Sequence, residues 1–377
     1  MNSTLLTKKI DTKTIVWFQA TNKYVILENN AASIVQDINN HISLEDIATQ
    51  QSKELNIPFE NIVEFIKDLK QDLYDPNTKE TESLTTNFNN VSIPSDFKFI
   101  KHYEINNYIF KVAFKSEENL FFIHPKFVHL EVGENLNVNF NYQVFSEKEL
   151  TYFVVENNIV GSWKKSNIHY FQGTFSMQVV KDMHQKEEDQ WMGVFHASAV
   201  SDNKKSILLL GDSGNGKSTS LALLQANGFT CLADDFVPVD AQRKEVYSFP
   251  AAISIKKNSL ETLLPMYPEL ENSAEYHFKS LNKIVRYLKP NNNDFLAHLP
   301  CHDLVFIKYE KDAKLTCKKI SKIDAFQQLV PDSWLSPKKE NAQLFLDWFA
   351  GLNRYQLTYS NNEEMIKTVT KIFNNEL

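Results

Sequence analysis

Gly211-Asp212-Ser213-Gly214-Asn215-Gly216-Lys217-Ser218, with Thr219 behind it, is the stretch whose residue types and spacing could do chemistry most directly. It satisfies G-x-x-x-x-G-K-[ST] at every fixed position. Glycines let successive backbone N–H groups turn inward onto phosphate oxygens. A helix that starts at the lysine points the positive end of its dipole at the same anion. Lys217 can reach the β- and γ-phosphates, and the Ser218 hydroxyl can ligate Mg²⁺. The stretch therefore predicts a site for ATP and Mg²⁺, with residues 211–219 contacting the nucleotide. The chain has only 9 glycines, and Gly211, Gly214 and Gly216 all fall in this loop. Tight bending is concentrated where the phosphates would sit.

Asp234-Asp235 closes the next apolar run, Phe229 to Ala233. A carboxylate pair at a strand end lies beside the loop, where ligands bind in such sheets. One carboxylate can hold Mg²⁺ while the other accepts the proton of an attacking hydroxyl. The residues alone leave open which does which. A protein that only binds nucleotide needs one metal carboxylate, so the pair favours transfer to an acceptor. A nucleotide-binding switch, a peptide-binding protein without phosphoryl transfer and a small-molecule kinase stand as alternatives. His196 is read on the strand Phe195 to Val200, just ahead of the loop strand. A lone strand histidine is more often structural than catalytic.

These residues need elements to hold them. Ile207 to Leu210 is a continuous apolar run, as in a strand buried on both faces of a parallel sheet. Ser218 to Asn227 predicts a helix that Gly228 stops. Leu304 to Tyr309 and Arg354 to Tyr359 predict further strands, and Ile323 to Leu329 and Glu363 to Phe373 predict helices. The fold class is α/β, with a phosphate-loop domain over 191–377. Residues 91–190 predict a β-rich segment that precedes or completes it, from the alternation in Tyr108 to Phe114 and Leu136 to Phe145 and the short run Thr151 to Val155. Residues 78–90 predict a linker after the breaker Asp75-Pro76-Asn77.

Residues 1–77 predict a small, winged-helix-like module. Ile15 to Phe18 and Lys23 to Leu27 form two strands around Thr21-Asn22, followed by a helix over Ala31 to Ile38. Ser43-Leu44-Glu45-Asp46 starts another helix with Ile47, Ala48 and Leu55 on its apolar face. Pro58 opens a third, with Ile62, Phe65, Ile66, Leu69 and Leu73 inward.

The 377 residues are 42% hydrophobic and carry a formal charge of −7. That is ordinary for a soluble chain of two or three domains, and it argues against a basic surface for nucleic acid. The helix Asn61 to Leu73 sets Glu64, Asp68 and Asp72 beside Lys67 and Lys70, which is no recognition helix for DNA. Cys231, Cys301 and Cys317 are too few and too scattered for a disulfide framework or a zinc site. A reducing, cytoplasmic setting is expected. No apolar run approaches the roughly 18 residues of a membrane span, and Met1 to Ile10 does not read as a signal peptide.

Taken in order, His196-Ala197-Ser198-Ala199-Val200, Gly211 to Thr219, Gly228-Phe229 and Leu232-Ala233-Asp234-Asp235 resemble the HPr kinase/phosphorylase-like family of phosphate-loop serine kinases. The likeness is specific over residues 191–240 and looser beyond, where Lys283 to Leu288 and Tyr355 to Tyr359 resemble smaller members. It implies Mg²⁺-dependent transfer from ATP to a serine hydroxyl of a peptide or protein. By position, Asp234 would be the base, His196 its neighbour, Lys217 the phosphate-binding lysine, and Asp235 with Ser218 the metal ligands, although the two aspartates could exchange roles. The C-terminal acceptor loop of the family's named members is not recognisable, so neither HPr as substrate nor phosphorolysis is implied. Lys283 and Arg286 could clamp phosphate.

Residues 15–75 resemble the PqqD-like recognition domain of ribosomal-peptide tailoring enzymes. The carriers are Tyr24-Val25-Ile26-Leu27, Asn29-Asn30-Ala31-Ala32, the Ser43 to Ala48 helix start and the Phe65 to Leu73 helix. The resemblance implies a module that folds by itself and takes a precursor peptide as an added strand. A tailoring kinase with a peptide partner is expected, and homo-oligomerisation is left open.

Overall fold

Lys13–Phe18 carries apolar residues on both of its faces, so a strand here needs cover on two sides. The computed structural model describes residues 5–79, 88, 91–134, 137–278 and 283–377. It divides into two compact units, one of Met1–Leu84 with Ser321–Gly351 and one of Thr85–Ile320 with Leu352–Leu377. Most of the expected linker 78–90 lies outside the described residues, as does Leu136.

In the first unit, Leu5–Ile10, Lys13–Phe18 and Lys23–Glu28 form an antiparallel meander. Its turns use Asp11 and Asn22 at positive φ, which their short polar side chains tolerate. Three helices follow, Asn29–Asn39, Leu44–Leu55 and Phe59–Leu69. Ser43 caps the second by accepting from the Asp46 N–H. One sheet face packs Val16 and Phe18 against Ala32 and Val35. The opposite face holds Ile15 and Trp17, both fully buried. Tyr24, cross-strand from Trp17, sets its ring 6.0 Å from Phe326 and 5.5 Å from Phe345. Those rings belong to the helices Lys322–Leu329 and Lys339–Gly351. Lys8 pairs with Asp347 at 2.6 Å, and the Asn22 side chain donates to the Leu335 carbonyl at 2.7 Å. Residues 321–351, expected within the domain 191–377, pack with the N-terminal meander, whose second face is apolar.

The second unit contains two larger sheets. One runs in the order Glu131–Val132, Phe99–Ile105, Tyr108–Phe114, Phe140–Glu147, Leu150–Val155, Asn158–Lys164. The helix Ile168–His184 packs on it, with Phe153 5.3 Å from Phe175. The other sheet is mixed rather than parallel. The loop strand Ser206–Leu210 runs parallel to His298–Tyr309, which runs parallel to Asn353–Tyr359. On its other side it pairs antiparallel with Ser198–Ser201, and that strand pairs antiparallel with Thr230–Asp234. One strand thus stands between the loop strand and the acidic strand. Thr316–Lys319 pairs with Asn353–Tyr359, so the chain leaves for residues 321–351 and returns at neighbouring strands. Among the described residues, no helix is long and apolar enough to cross a membrane.

Candidate functional site

The loop begins where a fully buried strand can go no further. Gly211 has φ of 133°, and a Cβ there would lie 2.6 Å from the Ile307 carbonyl oxygen. Gly216, at φ of 94°, is the residue before the helix Lys217–Ala226, and a Cβ would press on Tyr309 and Tyr359 at 3.3 Å. Only glycine fits these bends. The loop is braced from behind. Tyr309 N–H donates to the Asn215 carbonyl at 3.0 Å, and the Ser220 and Tyr359 hydroxyls meet at 2.8 Å. Thr219 donates to the Ser259 hydroxyl at 2.8 Å. Lys217 is almost wholly buried and its ammonium donates to the Gly211 carbonyl, which holds it across the loop.

Asp234 is the last residue of its strand and is 3% exposed. One carboxylate oxygen accepts from the Ser198 hydroxyl at 2.6 Å and from the Ser218 hydroxyl at 3.1 Å. The other accepts from the Ser254 N–H at 3.1 Å. The intervening strand makes the first contact possible, since Ser198 lies directly opposite Asp234. Burial, with the charge of Asp235 beside it, pushes the Asp234 carboxyl up to about 6 against the pull of these hydrogen bonds.

Asp235 leaves the strand at φ of 61° and lines an open cleft with the loop, Ser254 and Lys283, its side chain 27% exposed. Burial works to raise its carboxyl, but Lys126, His196, Lys283 and Lys217 outweigh that and hold it below the ordinary range. His196 is not on a strand. Trp191–Phe195 ends before it, and the Ala197 N–H closes a tight turn onto the Phe195 carbonyl at 2.9 Å. The reason is a change of partner, Phe195 pairing with Val237 and Ser198 with Leu209 and Asp234. The turn swings the imidazole into the cleft, with Nδ1 4.0 Å from an Asp235 carboxylate oxygen.

The structure thus gathers residues 211–219, His196, Asp234 and Asp235 in one place. It separates the other two basic residues. Lys283 lines the cleft. The Arg286 guanidinium donates to the Leu270 and Glu271 carbonyls and pairs with Glu275 at 3.5 Å, so it holds a turn and faces no phosphate. Sequence reasoning missed Ser198, Ser254, Lys126 and Lys256. Ser198 sits within the His196 to Val200 stretch and could have been found from the strand pairing. The two lysines carry no local signal.

Among the described residues, no group of three or more His, Cys, Asp or Glu side chains is disposed to hold a metal. A divalent cation here would rest on Ser218, one carboxylate and the phosphates themselves. The adjacent Ser218 hydroxyl and Asp234 carboxylate fit that requirement.

No family model matches the sequence, and no curated protein does. Among solved structures, the Hpr(Ser) kinase/phosphatase from Coxiella burnetii is 10% identical, with a TM-score of 0.22, over 48% of this chain and 95% of that one. A likeness so loose assigns neither fold nor activity to this chain.

Proposed function

We propose that this chain is an ATP- and Mg²⁺-dependent kinase that phosphorylates a hydroxyl, serine by the family resemblance, of a peptide or protein. The observation that carries the proposal is the division of labour between two adjacent carboxylates. Asp234 accepts from the hydroxyl of Ser218, the loop residue that would ligate Mg²⁺. Asp235 faces the open cleft with His196. These roles reverse the assignment that the resemblance implies. Asp234 and Ser218 would hold Mg²⁺, and Lys217 with the loop N–H groups would hold the phosphates. ATP would supply the phosphoryl group, and Mg²⁺, when bound, would offset the charge on its oxygens. Asp235 takes the proton of the acceptor hydroxyl as that oxygen bonds the terminal phosphorus and the bridging oxygen departs with ADP. His196 orients the Asp235 carboxylate.

The first unit is the recognition element in this reading. Its edge strand Lys23–Glu28 pairs with Lys13–Phe18 on one side only, among the described residues. The free edge can accept a precursor segment by main-chain hydrogen bonds.

The test uses the full chain and a short precursor peptide encoded in a neighbouring reading frame, with ATP and Mg²⁺. The expected result is one added phosphoryl group on a precursor serine by mass spectrometry, absent in Lys217→Ala. ATP and Mg²⁺ producing neither binding heat nor a thermal shift would overturn the nucleotide site. Binding without transfer to any precursor would leave the switch reading in its place.

A further inference from the structure

A lysine from outside the phosphate loop reaches onto it. Ile253–Lys256 is an edge strand of a small three-stranded sheet, paired antiparallel with Lys283–Leu288. Its residues alternate. Ile253 and Ile255 are buried in the core that also holds Leu221 and Leu224 of the loop helix. Ser254 and Lys256 point the other way, as alternate side chains of a strand must, and both line the cleft. The shared core fixes this strand against the loop helix, so Lys256 is delivered to one place. There its ammonium donates to the Ser213 hydroxyl at 3.0 Å. Among the described residues, no carboxylate forms an ion pair with it. A neutral hydroxyl is a weak partner for an ammonium, and an anion held in the loop would displace it.

The end of the loop that Lys256 meets decides what it can do. Lys217 folds back from the helix start to the Gly211 carbonyl, and a loop lysine so placed reaches the β- and γ-phosphates. Residues 211–213 therefore flank the position of the terminal phosphate, the one that is transferred. We propose that Lys256 is a further catalytic residue, which exchanges the Ser213 hydroxyl for an oxygen of that terminal phosphate and offsets the charge on it during transfer. The inference rests on reading this cleft as the ATP site, and it adds a cation that the loop itself does not contain. As the acceptor oxygen bonds the phosphorus, the bond to the bridging oxygen breaks and its electron pair leaves with ADP. Lys256 keeps its protons throughout and supplies charge and hydrogen bonds alone. With ADP in the loop there is no terminal phosphate to hold, and Lys256 stays on Ser213. It therefore distinguishes ATP from ADP, which contacts to the inner phosphates cannot do.

The experiment titrates the full chain with ADP and, separately, with a non-hydrolysable ATP analogue, both with Mg²⁺, by calorimetry. Wild type, Lys256→Gln and Lys256→Arg are compared. Loss of one charge-assisted contact in Lys256→Gln should weaken the analogue about tenfold and leave ADP affinity unchanged, which also shows that the variant is folded. Lys256→Arg keeps the charge and should keep the preference for the analogue. Single-turnover transfer from ATP should fall about 10²–10³-fold in Lys256→Gln, as for loss of one donor to a developing charge. Equal weakening of ADP and analogue in Lys256→Gln would make the lysine a brace for Ser213 and overturn the proposal. So would unchanged analogue affinity, transfer near the wild-type rate, or a Lys256→Arg that loses the preference as fully as Lys256→Gln. A wild-type chain that binds neither nucleotide would remove the nucleotide site, and this inference with it. Wild-type binding with an unselective effect of Lys256→Gln removes this inference alone.

Discussion

The phosphate-loop cleft and the N-terminal unit solve the problem of assembly in opposite ways. The cleft draws its chemistry from one short stretch: His196, residues 211–219 and Asp234-Asp235. The N-terminal unit builds a sheet from its first strands and covers one face with residues 321–351. A site that needs particular backbone angles and a particular charge writes itself into local sequence. A core only needs apolar area, which any part of the chain can provide.

The sharpest way to break this contrast is Lys217→Ala. It should abolish phosphoryl transfer and leave the circular dichroism unchanged, because the loop lysine serves phosphate and not the core. Residual transfer near the wild-type rate would show that the cleft is not the site.

Next comes the cover of the sheet. The resemblance to a self-sufficient module leads one to expect that residues 1–77 fold alone. In the structure such a fragment would expose Ile15, Trp17 and the Tyr24 ring. It should therefore aggregate or give a poorly dispersed amide spectrum, whereas a version joined to residues 321–351 should not. Trp17→Ala in the full chain should cost about 3–5 kcal/mol of that unit's stability, read by urea unfolding. A well-folded, soluble 1–77 fragment would contradict the two-segment unit.

The pH dependence of the cleft gives a smaller effect. Asp234 is raised from its ordinary 3.8 to about 6 in the folded chain. Between those values the folded state holds more protons than the unfolded one, so this group's contribution to stability falls as pH rises through that window and is level above it. Asp235 is lowered, so its contribution is present above the ordinary carboxylate value and is lost as pH falls through its folded one. Because Mg²⁺ needs ionised Asp234, nucleotide affinity measured with Mg²⁺ should weaken as pH falls below about 6, and affinity without Mg²⁺ should change less. Equal pH dependence in Asp234→Asn would contradict the assignment.

Tyr359→Phe should have the smallest effect. It removes the buried hydroxyl pair with Ser220 at 2.8 Å, worth about 1 kcal/mol, with nucleotide affinity reduced only through a looser brace behind Gly216. No loss of stability would mean that the brace is not needed.

Legibility followed the same divide. The loop, its helix and the Asp234-Asp235 strand end were all evident in the residues themselves. Glycines gathered at one bend and like charges adjacent at a strand end both destabilise a fold that binds nothing there. The helix Lys339–Gly351 and its place were not evident. Yet Ile15-Val16-Trp17-Phe18 carried a readable warning, since four consecutive apolar residues cannot all face one side of a strand. His196 was misplaced for a tertiary reason. The apolar run around it reads as one strand, but the chain changes partners there. Lys126 was beyond reach, since its helix is placed by contacts distant in sequence, Phe127 against Phe249 and the Ala252 N–H on the Lys126 carbonyl.

The central claim is that the two adjacent aspartates do different work, and a paired measurement tests it most directly. Asp234→Asn and Asp235→Asn are compared for Mg²⁺-dependent ATP affinity and for single-turnover transfer from labelled ATP. Asp235→Asn should lower transfer by about 10²–10⁴-fold with affinity retained, as for loss of a general base. Asp234→Asn should impair both, as for loss of a metal ligand. The reverse pattern, with transfer alone lost in Asp234→Asn and affinity lost in Asp235→Asn, would contradict the assignment drawn from the Ser218 contact.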